Sequence, residues 1–171
     1  MIFRTKEQKH DLIRSWHRPD RPFFAAGACH VLAAAFLEAY PHAGFQPFLI
    51  LPNPGLRGSH VFVSDGKTAF DYHGFSELDY FLDHFFTKIR RFFPHWCGEV
   101  IQLKESPISN SFCEGHNSRL PTQYLHDPLP RAFSYLARFP FPRSQVSLGN
   151  VSCSPRNFIS RQFVMFQKDR Q

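Results

Sequence analysis

The segment from His60 to Asp71, HVFVSDGKTAFD, constrains the chain more than any other stretch. Val61, Phe62 and Val63 are β-formers, Asp65-Gly66 is a two-residue turn signal, and Thr68, Ala69 and Phe70 suit a returning strand. With Asp65 and Gly66 as the loop, Ser64 faces Lys67, Phe62 faces Ala69, and His60 stands directly opposite Asp71. Directly opposed residues share a face of the sheet, so the carboxylate can accept the imidazole N–H and fix its tautomer.

A nucleophile for this pair stands upstream. Gly27 interrupts the run FFAAGACHVLAAAF, and the alanine- and leucine-rich segment after it favours a helix up to Pro41, which puts Cys29 in the first turn. A helix N-terminus favours a thiolate, and its free N–H groups can hold an oxyanion. The His60 and Asp71 face is expected to turn toward this helix, because Val61, Val63, Thr68 and Phe70 on the other face make the better core. His30 follows Cys29 directly and, at about 100° around the helix, is expected to point away from the thiol and to be a poor base for it. His73, two residues past Asp71, is a further polar group for the same cleft.

The order Cys29 in GACHVLAAAF, His60 in GSHVFVSDGK and Asp71 in AFDYHGF resembles the core of the papain-like, transglutaminase-like cysteine enzymes, over roughly residues 22–74. That superfamily includes bacterial thiol peptidases, amidases and acyltransferases. The resemblance implies a Cys-His-Asp triad on a helix packed against an antiparallel sheet. In these roles Cys29 is the nucleophile, His60 the base and Asp71 its orienter, in hydrolysis or acyl transfer of a peptide or other amide. No cofactor is implied.

The rest of the chain is read around that core. The 171 residues, 43% of them hydrophobic and 21 of them phenylalanine, fit one globular domain with an added tail. No apolar run approaches a membrane span, and the start MIFRTKEQKHD lacks a signal-peptide hydrophobic region, so no membrane partner and a cytoplasmic location are expected. Four irregularly spaced cysteines do not form a disulfide framework in that compartment.

Thr5-x-x-Gln8 forms a capping box for a helix over about 6–17, and Pro19 and Pro22 predict an extended link into the Cys29 segment. Residues 45–51 and 99–103 read as strands. Ser76-Glu77-Leu78-Asp79 opens a long helix, and Leu78, Phe81, Leu82, Phe85, Phe86, Ile89, Phe92 and Phe93 form its apolar stripe, which is read as core. The expected fold is α+β: a papain-like core with N-terminal helices on a small antiparallel sheet covered by the Ser76 helix.

Seven prolines and weak periodicity after Glu105 place a boundary there: a papain-like domain over 1–104, then a basic, proline-rich, partly irregular extension over 105–171. A short helix is expected at 131–138 and a terminal strand or helix at 158–167. Residues 105–171 hold 8 basic and 4 acidic side chains, against 12 and 10 in residues 1–104, so the net charge of +6 belongs mainly to the extension. That basicity offers an alternative function: a non-catalytic module binding an acidic protein or nucleic acid. His95-x-Cys97 and Cys113-x-x-His116 are of zinc-ligand type, but H-x-C is an unusual knuckle without turn glycines, and no metal is expected.

Overall fold

The structure, a computed structural model, describes residues 4–142, and its first compact unit extends to Pro140. Thr5 caps the first helix as its sequence predicts: its hydroxyl accepts the Gln8 N–H at 3.2 Å, and Gln8 Oε1 accepts the Thr5 N–H at 3.1 Å. The helix expected over 6–17 is two short ones, α1 (Lys6–His10) and α2 (Leu12–Trp16). Asp11 divides them, because its carboxylate accepts the Arg14 N–H at 2.9 Å and so caps the second. The extended link expected at Pro19 and Pro22 is instead α3 (Asp20–Ala25). Pro22 falls in its first turn, where the missing N–H has no partner to lose.

Then come α4 (Cys29–Ala39), β1 (Gln46–Pro52), β2 (His60–Ser64), β3 (Thr68–Asp71), β4 (Gly74–Glu77), α5 (Leu78–Phe92) and β5 (Gly98–Gln102). The strands form one antiparallel sheet in the order β4-β3-β2-β1-β5. The fold is thus α+β, as expected. β4 is an addition, because residues 74–77 pair with β3 and the long helix starts at Leu78 with no side-chain cap. The Leu78 N–H donates to Lys67 O at 2.7 Å. Pairing along the edge of β3 satisfies more backbone groups than a Ser76 capping box would.

The β2–β3 register differs from the one expected by two residues: Ser64 pairs with Ala69 and Val63 with Phe70. Asp65 stands just past the end of β2, its N–H donating to Thr68 O at 3.2 Å, while its carboxylate accepts the Lys67 and Thr68 N–H groups at 2.9 and 2.7 Å. The loop tip is therefore Gly66-Lys67, with Gly66 at φ 90°, a conformation open to glycine. A slip of two keeps every side chain on its face. His60 and Asp71 are consequently on one face but diagonal to each other, not directly opposed.

Both faces of the sheet are buried. Phe70 meets Phe36 of α4 at 4.7 Å between ring centroids, and its partner Val63 and the neighbouring Val61 and Leu49 share that face. Ile50, Phe62 and Ala69 point the other way, into a core with Phe81 and Ile89 of α5 and with Trp96. Of the α5 stripe, Leu78, Leu82, Phe85, Phe86 and Phe93 are partly buried against that core, whereas Phe92 is 56% exposed.

The boundary expected at residue 104 is not seen. Residues 105–140 add α6 (Asn110–Gly115), a 3-10 turn (Pro121–Gln123) and α7 (Pro128–Leu136) to the same unit. Pro128 and Pro130 open α7 rather than break it, and Asp127 caps it by accepting the Leu129 N–H at 3.0 Å. Tyr135 stacks on Phe24 at 4.9 Å, and Ala132 and Leu136 are buried. Arg131 ties the helix to the N-terminal segment through Asp20 Oδ1 (2.9 Å), Trp16 O (2.5 Å) and Arg18 O (2.6 Å). The element expected at 158–167 lies outside the described residues. Among the described residues no helix is long and apolar enough to cross a membrane.

Candidate active site

Cys29 is the first residue of α4, on one side of the sheet, while His60 and Asp71 share the face that α5 covers. The His60 face is therefore not the one turned toward α4, contrary to the expectation drawn from Val61, Val63 and Phe70. With Phe62 and Ala69 the other face is equally apolar, and each helix takes one face. The two sides meet because the β2–β3 pairing stops at Val63 and Phe70. Beyond that pair the strands part, and the thiol enters from the α4 side, where the Val61 N–H donates to its Sγ at 3.5 Å.

His60 Nε2 donates to Asp71 Oδ2 at 3.0 Å, which leaves Nδ1 for the thiol, and the Val61 N–H holds Cys29 Sγ next to His60, close enough for the two side chains to interact electrostatically. Asp71 is itself held: its Oδ1 accepts the His73 N–H at 2.8 Å and lies 3.3 Å from His73 Nδ1. The His60 ring is 3% exposed, stacked on Phe85 at 5.6 Å and set edge-on to Tyr72 at 5.5 Å. Sequence reasoning thus brings together the residues that the structure brings together, although by a diagonal contact. The diagonal spans a longer Cβ separation than direct opposition, and the reach of the two side chains closes it.

The electrostatics favour an ion pair. Burial opposes ionisation of Cys29, but hydrogen bonds from His30 and His60 outweigh it and hold the thiol well below its ordinary value. Burial likewise opposes charge on His60, yet bonds to Asp71 and Cys29 raise its pKa to about 10. Burial would raise Asp71, but hydrogen bonds from His60 and His73 bring it to about 2. Cys29 is partly accessible, so the thiolate is both stabilised and reachable.

His30 departs from expectation. Its ring is buried, Nε2 donates to Arg119 O at 2.9 Å, and the side chain interacts with both Cys29 and Cys113. Burial works against the imidazolium, but bonds to the two cysteines raise it to about 9. The angle around the helix misleads because helical side chains lean toward the N-terminus, so a long ring in the first turn can reach back to a neighbouring thiol. Its adjacency to Cys29 was the available signal.

The N-terminal end of α4 has no side-chain cap. Its N-cap, Ala28, offers no side-chain acceptor, so the first-turn N–H groups, that of Cys29 included, are left without a side-chain cap. The approach is fixed by Gly27, at φ 128°, whose carbonyl accepts the Tyr124 hydroxyl at 2.7 Å. A cleft of about 330 Å³ lies between Cys113, Arg119 and Gln123 and is lined by neither His30 nor Cys29. The two pairs of zinc-ligand type do not converge: no group of three metal-ligating side chains forms among the described residues.

Compared with models of protein families, with curated proteins and with solved structures, the chain matches none.

Proposed function

We propose that this protein is a thiol-dependent hydrolase or acyltransferase that acts on a peptide or other amide, with a papain-like arrangement of Cys29, His60 and Asp71. The observation that carries the reading is the meeting of Cys29, at an uncapped helix N-terminus, with a histidine held by a buried carboxylate. Cys29 thiolate attacks the amide carbonyl, and the C=O electron pair moves onto oxygen, where the N–H of Cys29 stabilises it. Collapse re-forms the carbonyl and expels the amine, which takes its proton from His60 Nδ1. The acyl thioester is then attacked by water or an amine; His60 accepts the proton from that nucleophile, and the thiolate leaves. Asp71 holds Nε2–H throughout, so that Nδ1 does the proton transfer. The cytoplasm, where a free thiol stays reduced, suits this chemistry.

The test is labelling of the full chain with a thiol-reactive amide probe and mapping of the modified cysteine. Labelling at Cys29, lost in Cys29→Ala and slowed at least about a hundredfold in His60→Ala, supports the reading. Labelling spread over Cys97 and Cys113, or unchanged in His60→Ala, defeats it.

A further inference from the structure

We propose that Arg4 and Arg18 form an anion subsite beside Cys29 that takes a carboxylate carried on the acyl part of the amide substrate. The inference rests on the thiol chemistry above and names the substrate class for it. The two guanidiniums converge on consecutive residues of the segment leading into α4. Arg18 Nη1 donates to Ala26 O at 2.7 Å, and the Arg4 side chain covers Gly27 so closely that a Cβ there would come within 2.9 Å of its Nη1. Gly27 is two residues before the nucleophile, and the Arg4 charge acts on the Cys29 thiolate. Arg18 is 7% exposed, and its Nη2 has no hydrogen-bond partner, a cost that native structures rarely leave unmet without a ligand or water.

The charge balance points the same way. Among the described residues neither Arg4 nor Arg18 has a carboxylate partner: Asp20 is occupied by Arg131 and Arg138, at 2.9 and 2.5 Å, and Arg119 adds a further guanidinium near Arg4. Burial, and then repulsion from Arg119 for Arg4 and from Arg4 for Arg18, pushes both below the ordinary arginine value. In the free enzyme the thiolate of Cys29 offsets part of this positive charge. Acylation forms the C–S bond and removes that negative charge, so the arginines are least compensated in the acyl-enzyme. A carboxylate on the acyl group restores the balance at that step, and it also draws the substrate acyl-end first toward the first-turn N–H groups of α4.

The experiment compares two alkylating agents that differ only in charge. Second-order rates of Cys29 modification in the full chain are measured with iodoacetate and with iodoacetamide, and peptide mapping assigns the cysteine. The ratio of the two rates cancels changes in thiolate content, which affect both reagents alike. The expected result is a ratio above that of glutathione under the same conditions, falling by about tenfold in Arg4→Gln and partly regained in Arg4→Lys. Succinate, added to the wild-type chain, should also slow modification by iodoacetamide, which checks the subsite without any variant. A ratio equal to that of glutathione, the same in Arg4→Gln, with no protection by succinate, would overturn the subsite and leave the thiol chemistry standing. A Cys29 inert to both reagents would overturn both.

Discussion

The helices on the two sides of the sheet are built differently, and the contrast explains where the site lies. In α4 every residue from His30 to Phe36 is buried, because the sheet covers one side and α7 another. In α5 only Phe81 and Ile89 are buried, and Tyr80 and Phe92 are more than half exposed, at 64% and 56%. A helix enclosed all round holds its first residue in one place, as the role proposed for Cys29 requires. The amphipathic helix laid over the other face shields His60 from water and sets its ring against Phe85.

That comparison makes α7 indispensable, and the strongest test removes it. A chain ending at residue 120 strips Ala132, Tyr135 and Leu136 from the back of α4, together with the Arg131 ties to α2 and α3. We expect it to lose cooperative unfolding altogether, followed by circular dichroism in urea. A truncated chain that unfolds cooperatively would mean α4 is sufficiently enclosed by the sheet alone.

Within the folded chain, Phe36→Ala and Phe92→Ala set the two helices side by side. Phe36 is fully buried between Phe45, Phe70 and Phe75, so its truncation leaves a cavity worth about 3–5 kcal/mol. Phe92, on the solvent side of α5, should cost no more than about 0.5 kcal/mol. Comparable losses in urea titrations would show that the two helices are equally enclosed.

The pH dependence of stability locates the charge in the site. Asp71 has a folded pKa of about 2 against an ordinary 3.8, so its contribution is present above about 3.8 and lost as pH falls through about 2. His60 is raised from 6.5 to about 10, so its contribution is full below about 6.5 and lost as pH rises through about 10. The stability difference between wild type and Asp71→Asn should therefore be largest between about pH 4 and 6.5, on the order of 2 kcal/mol, and shrink on both sides. A difference that stays flat from about pH 2.5 to 10 would exclude an ionised pair.

Much of this arrangement is legible in the sequence, and what is not has identifiable causes. The strands β1, β2, β3 and β5, the helix α4 and most of the α5 stripe follow from periodicity and turn signals, and Cys29, His60 and Asp71 stand out by residue type and chain order, whereas β4 does not. The hairpin register does not, because Asp65 can serve either as a loop-tip residue or, through its N–H bond to Thr68 O and its side-chain bonds to Lys67 and Thr68, as the residue that faces Thr68 just past the strand end. Which face meets which helix is also undetermined when all of β2 is buried, since alternation then carries no information. Prolines in first turns hide α3 altogether and the first turn of α7, whose later residues are expected as a helix from 131, because proline starts a helix as readily as it stops one elsewhere. Arg4 gave no local signal at all: its place beside Gly27 is created by tertiary packing.

The finest test concerns what α5 contributes to the chemistry beyond shelter. The His60 ring lies nearly parallel to Phe85, at 5.6 Å and 19°, so the imidazolium faces the electron-rich surface of the phenyl ring. A cation in that position is stabilised by about 0.5–1 kcal/mol, and by more when desolvated, whereas the neutral ring gains only dispersion. Phe85→Leu keeps the apolar cover and should cost less than about 1.5 kcal/mol in stability. It should, however, lower the His60 pKa by about half a unit to one unit, a shift read from the imidazole signals in an NMR titration. Phe70→Leu is the matched control: it alters the α4 face, where Phe70 meets Phe36, and should leave the His60 titration where it was. A shift of equal size in both variants would mean that His60 responds to the general looseness of the core, and that α5 acts on it only by excluding water.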